Sequence, residues 1–203
     1  MARDEITPTA SAAQVERVLA EWRVARPDLE PGPFRLFSAV AIAGRLVQDF
    51  YQASAARHGL SAPDFFLLAE LRRRGQPFEA TPGELTQVLV RSTGGTTKQL
   101  DRLAAAGHIT RIPNPTDRRS NIVRLTNRGR QLIDAALQDH LAAETVLSDG
   151  IDPADIEPCI DVLWTLADRL RNWTLAQTAT DSRPARTRHP TGWTSPHSVQ
   201  TSP

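Results

Sequence analysis

The sequence has one cysteine, one lysine and no long apolar run, and each shortage closes off a class of function. With Cys159 alone, neither an intramolecular disulfide nor a multi-cysteine metal site can form. Cys159 falls in the apolar pattern Ile156, Ile160, Leu163, which predicts a small buried hydrophobe rather than a reactive thiol. No stretch approaches the roughly 18 apolar residues of a membrane span, so no membrane partner is expected. The segment Met1–Thr9 carries Arg3 with no apolar stretch behind it, unlike a secretory signal. A cytoplasmic protein is the expectation. His58, His108, His140, His189 and His197 are dispersed, and neither a glycine-rich phosphate loop nor a metal-ligand spacing occurs. A serine triad is a spatial arrangement, but the strand-rich scaffold of a hydrolase is missing. No enzyme, metal or cofactor is therefore expected.

What is present is a core and an uneven charge. A 203-residue chain that is 40% hydrophobic can bury one domain with flanking sequence to spare. Its net charge of +1 conceals a division. Between Arg91 and Arg130 stand nine basic residues, Lys98 among them, against two acids, Asp101 and Asp117, a balance of +7. The other 15 basic and 21 acidic residues give −6. A strongly basic segment in an otherwise acidic chain is the footprint of polyanion binding.

Hydrophobic spacing predicts a mainly α protein with one small β-hairpin. Ala12–Val24 reads as a short amphipathic helix, broken by Pro27, Pro31, Gly32 and Pro33. From Phe34 to Arg57, the residues Phe37, Val40, Gly44, Val47 and Tyr51 alternate spacings of 3 and 4, a long helix with a coiled-coil-like seam. Ser61 starts the next helix, which Arg72-Arg73-Arg74-Gly75 ends. Thr81-Pro82-Gly83-Glu84 is a capping box opening a short helix with Leu85, Val88 and Leu89 inward. Val90 and Arg91 form a tight turn, and Ser92 caps a helix that Gly107 closes. Ile109–Ile112 and Asn121–Leu125 read as the two strands of a hairpin around a basic, proline-stiffened loop. Thr126 starts a long helix and Asp152-Pro153 a last one. From Gln177 onward Thr, Ser, Pro and Arg dominate, and a disordered tail is expected.

Two features carry the function. A short helix, a turn and a second helix can lay the start of that second helix in a major groove. Its residues there are Ser92, Thr93, Gly94, Gly95, Thr96, Thr97 and Lys98. The glycine pair either permits close approach to DNA or reflects fraying of the first turn. The hairpin loop carries Arg118 and Arg119 at its tip, placed to reach a minor groove or its phosphates; the alternative is a solvated loop paired with Asp117.

These segments resemble the multiple-antibiotic-resistance regulator (MarR) family. The match runs through Leu85-Thr86-Gln87-Val88-Leu89-Val90, Ser92 to Leu103 and Gly107-His108-Ile109. It continues through Pro113-Asn114-Pro115-Thr116-Asp117-Arg118-Arg119-Ser120 and Val123-Arg124-Leu125-Thr126, and its most specific part is the Asp-Arg-Arg wing. The resemblance implies a winged helix-turn-helix domain over residues 33–175 with a DNA-binding core at 61–125. An extension at 1–32 and a tail at 176–203 fall outside it. It implies a homodimer, knit by the terminal helices, that binds a pseudo-palindromic double-stranded operator. Ser92, Thr93, Gly94, Thr97 and Lys98 then face bases, and Arg118 and Arg119 form the wing. Thr96 stands where the family often has a bulkier apolar residue. The resemblance further implies a repressor released by a small, aromatic effector. Tyr51, His58, Phe65 and Phe66 are candidates to line its cleft, against the alternative of core aromatics and an exposed histidine. Thiol sensing is not expected, because no cysteine lies near the start of the first long helix. The competing reading is a non-specific or architectural DNA-binding protein with no ligand response.

Overall fold

The structure, a computed structural model, describes residues 10–88, 93–115, 117 and 120–181, without the side chains at 88, 93, 94 and 179–181. The chain divides into two compact units, Met1–Leu147 and Ser148–Pro203. No described helix is long and apolar enough to cross a membrane.

The first unit starts with helices α1 (Ala10–Ala25) and α2 (Gly32–Ala56). α1 buries Leu19 completely and is tied to α2 by Glu16 and Arg35 at 2.7 Å. α3 (Ala62–Arg73) follows a turn. Ser61 is its N-cap, accepting from the Asp64 N–H at 3.3 Å and donating to the Asp64 carboxylate at 2.7 Å. After the two-residue strand β1 (Glu79–Ala80) come α4 (Pro82–Val88) and α5 (Thr93–Ala105). The box at the start of α4 is formed in full. The Thr81 N–H donates to Glu84 Oε2 at 2.6 Å, and the Glu84 N–H donates to Thr81 Oγ1 at 3.3 Å.

Gly107 ends α5 at φ +73°, a conformation that costs a residue with a Cβ. Its N–H donates to Ala104 O and the His108 N–H to Leu103 O, a Schellman closure. β2 (Ile109–Pro113) and β3 (Asn121–Leu125) then pair antiparallel, with Ile109 opposite Leu125 and Pro113 opposite Asn121. β1 adds to the free edge of β3, Ala80 opposite Val123, so the spatial order is β1-β3-β2. The sequence predicts only the β2–β3 hairpin, without β1. α6 (Asn127–Ser148) closes the unit.

The core joins Leu67, Leu68 and Leu71 of α3, Leu85 of α4, and Leu100 and Leu103 of α5. Ile109, Val123 and Leu125 supply the sheet side, and Ile133 and Ala136 come from α6. Helix and sheet faces meet in one cluster, which makes this a winged helix-turn-helix fold.

The second unit is built on α7 (Pro153–Asp181). It runs beyond Gln177, where composition predicts that order ends. Thr174 and Thr178 satisfy themselves on carbonyls one turn back, at 3.0 and 3.2 Å, instead of breaking the helix. The expected tail beyond it, residues 182–203, lies outside the described residues. Cys159 is exposed, contrary to the expectation of burial. The apolar pattern around it is real, but Ile156, Ile160 and Leu163 are exposed within the chain too, so helical periodicity located a face without saying what covers it.

Candidate nucleic-acid interface

α5 is amphipathic in a way that separates packing from recognition. Thr96, Gln99, Leu100 and Leu103 turn inward, while Gly95, Thr97, Lys98, Asp101 and Arg102 face out. Thr97 and Lys98 thus stand on the open face near the helix start. Thr93 and Gly94 belong to the same first turn, but only their backbone is described. Ser92 and the predicted turn at Val90 and Arg91 also fall outside them, as do Arg118 and Arg119. Thr96 is 1% exposed, so it fills a core position.

Charge explains how the helix pair is held. Asp64, 7% exposed at the side chain, takes both its oxygens to Arg102 of α5, with Nη2 at 2.6 and 2.9 Å. Arg74 joins Glu70 of α3 (2.9 Å) to Glu84 of α4 (3.2 Å). The Glu84 carboxyl sits below the usual carboxylate range, first because the Thr81 N–H donates to it, then through the Thr81 hydroxyl and Arg74.

The basic segment is therefore less open than its formal charge. Arg102 pairs with Asp64, Arg111 with Asp101 at 2.7 Å, and Arg124 with Glu79. Lys98, Arg128 and Arg130 make no ion pair among the described residues. The partners Asp64 and Glu79 lie far back in the chain, which is why a local count of charge overstated what is free to meet an anion.

Of the expected cleft residues, Tyr51, Phe65 and Phe66 pack against one another, with Phe66 5.1 Å from Tyr51 and 5.4 Å from Phe65 between centroids. An open cavity of about 890 Å³ lies between α2, α3 and α6, bordered by Gln48, Gln52, Pro63, Phe66, Arg72 and Leu137 among others. Phe66 alone of the four candidates lines it. Phe65 is core, 4% exposed, and Tyr51 packs edge-on against Phe66 at 5.1 Å between centroids. His58 is largely covered and hydrogen-bonds Asp139 at 3.0 Å, so it is not the exposed histidine of the alternative reading. The sequence reading missed His140, which stacks on Phe50 at 5.1 Å and meets Ser54 at 2.9 Å. A signal existed: Gly129, Ile133, Ala136 and His140 are the buried residues of α6, at spacings of 4, 3 and 4. Among the described residues, no group of three or more His, Cys, Asp or Glu could hold a metal.

A short helix, a second helix with an open polar face and a three-stranded wing sheet define a winged helix-turn-helix DNA-binding protein. Known proteins narrow that class. The model of the MarR family matches residues 58–120. The HTH-type transcriptional regulator PecS of Dickeya dadantii is 33% identical over 131 residues, which is 64% of this chain and 79% of the relative. The fold is similar to AbsC, a MarR family transcriptional regulator from Streptomyces coelicolor, with a TM-score of 0.64 at 20% identity over 71% of this chain and 97% of that one. It is also similar to Sco3205 of the same organism, whose structure is a complex with DNA, with a TM-score of 0.63 at 19% identity over 70% and 89%. The chain belongs to the MarR family of DNA-binding transcriptional regulators. These relatives are regulators rather than enzymes.

Proposed function

We propose that the protein is a homodimeric repressor that binds a pseudo-palindromic duplex and is released by a small aromatic effector. In this reading α5 enters the major groove, with Ser92, Thr93, Gly94, Thr97 and Lys98 toward base edges and Arg118 and Arg119 of the wing on the adjacent minor groove or backbone. The observation that carries it is the open face of α5, where Lys98, without an ion pair among the described residues, and Thr97 stand outward on a helix locked to the core behind them.

The dimer is supported by unsatisfied apolar surface. Phe34, Phe37, Leu46 and Val47 of α2 are exposed, as are Leu163, Trp164, Leu170 and Trp173 of α7. A soluble chain rarely leaves so many large apolar groups open unless a partner covers them. The effector reading is supported by the cavity between α2, α3 and α6, whose size suits a small molecule and whose wall includes an aromatic ring and two glutamine amides. A cytoplasmic location follows from work on DNA rather than from any feature of the chain.

Selection of random duplexes by the purified protein tests the reading. Enrichment of a pseudo-palindrome with half-sites about one helical turn apart is the expected result. Salt-sensitive binding without enrichment would leave the architectural alternative standing, since non-specific affinity comes from phosphates alone.

A further inference from the structure

The second helix of the helix-turn-helix pair is fixed by an unusual group on its buried face. Thr96, Gln99, Leu100 and Leu103 are all 1–3% exposed, so one of the four inward groups is a long polar amide. Apolar contacts are non-directional and hold a helix against a core without sharply defining its rotation. A hydrogen bond to one carbonyl does define it. Gln99 makes such a bond: its Nε2 donates to Pro63 O at 2.6 Å, joining α5 to the first turn of α3. The other end of the amide, Oε1, is buried with no hydrogen-bond partner among the described residues. The orientation is nonetheless forced, because the flipped amide would set one acceptor against another. A buried acceptor left unmet costs stability, a cost that an apolar side chain of the same length avoids. What the amide offers that an apolar side chain of the same length does not is a directional tie to one carbonyl.

We propose that Gln99 is a positioning residue for DNA reading, setting the rotation and axial register of α5 so that Thr97 and Lys98 meet the groove. The proposal rests on the reading of α5 as the DNA-reading helix. A slip of one residue along a helix turns each side chain by about 100° and moves it about 1.5 Å, enough to carry Lys98 off its target. Arg102, three residues and about five-sixths of a turn beyond Gln99, ties the outer edge of the helix to Asp64. Gln99 supplies the inner tie, and its acceptor residue, Pro63, also borders the cavity between α2, α3 and α6.

The test uses the full chain and the duplex obtained by selection, read by fluorescence anisotropy. Gln99→Met keeps the length and removes both the donor and the orphan acceptor. It is expected to unfold at the wild-type temperature or above, yet to bind the duplex about fivefold more weakly. Its discrimination against a duplex with scrambled half-sites should flatten. Gln99→Glu regains a donor only when its carboxyl is protonated, so its affinity relative to wild type is expected to recover between about pH 7.5 and about pH 5.5. Gln99→Met should follow wild type across that range. Asp64, paired with Arg102, and His108, on which Asp64 and Arg128 act, are common to all the proteins compared. Wild-type affinity and discrimination in Gln99→Met overturn the proposal, and so does a Gln99→Glu variant that fails to recover. Thr97→Ala and Lys98→Ala separate the two levels. If both bind and select as wild type, α5 is not the reader and the proposal falls with that reading. If they lose binding while Gln99→Met does not, only the proposal falls.

Discussion

His108 sits where the end of α5 meets β2, and two neighbours hold its backbone. Its carbonyl oxygen accepts from the Thr126 N–H at 3.0 Å and the Thr126 hydroxyl at 3.1 Å. Gly129 passes so close that a Cβ there would lie 2.0 Å from the same oxygen, so this contact admits no side chain. The ring itself is held below the ordinary histidine value, first because burial penalises the imidazolium and then because Arg128 repels it, with Asp64 opposing. Its Nδ1 is buried without a partner among the described residues. Above the unfolded pKa of about 6.5 neither state binds the proton, and the full stability is present. As pH falls through that value the unfolded chain takes up a proton that the folded chain resists, and stability is lost. His108→Gln should therefore show a smaller fall in melting temperature between about pH 7 and about pH 5 than wild type. Equal slopes in the two proteins would show that the ring protonates as freely folded as unfolded.

At the scale of the element, what was legible in sequence is what neighbours in sequence decide. The box at Thr81 and Glu84 lies within four residues, and the structure forms it with both reciprocal bonds. Thr81→Ala should cost about 1 kcal/mol in urea denaturation, the usual worth of an N-cap. An unchanged midpoint would mean that Arg74 and Glu70 hold α4 without the cap. Periodicity likewise placed α2, α3, α5 and α6, and the hairpin strands stood out by their β-branched residues. β1 was not legible, because the two residues following Gly75-Gln76-Pro77-Phe78 carry no period and become a strand only when β3 offers its edge. The cavity was missed for a related reason. Gln48, Gln52 and Arg72 look like ordinary surface residues until α2 and α3 are packed, whereas aromatic residues suggest a cleft and mostly fill the core instead. Gln99 belongs to the same group: a polar residue at a core position is visible in sequence, but its carbonyl partner 36 residues back is not.

At the scale of the whole molecule, α2 and α7 both carry uncovered apolar faces. The start of α2 shows Phe34 and Phe37 at 45% and 47% exposure, while its end packs into the aromatic cluster around His140. One helix thus has a finished half and an unfinished half, and Leu163, Trp164 and Trp173 leave α7 in the same condition. A second copy would complete both helices and bring two winged domains to one duplex. Binding through two linked half-sites gains roughly a hundredfold or more over one, because the second contact is intramolecular. Sedimentation equilibrium on wild type, Phe37→Glu and Leu163→Glu checks this, with circular dichroism to confirm that the variants keep their helices. Wild type should sediment as a dimer, and each variant as a folded monomer whose affinity for the selected duplex drops about a hundredfold. A wild-type protein that stays monomeric at micromolar concentration would remove the dimer. Variants that still dimerise would move the interface away from these faces, and a folded monomer that binds as tightly as wild type would mean that one winged domain suffices.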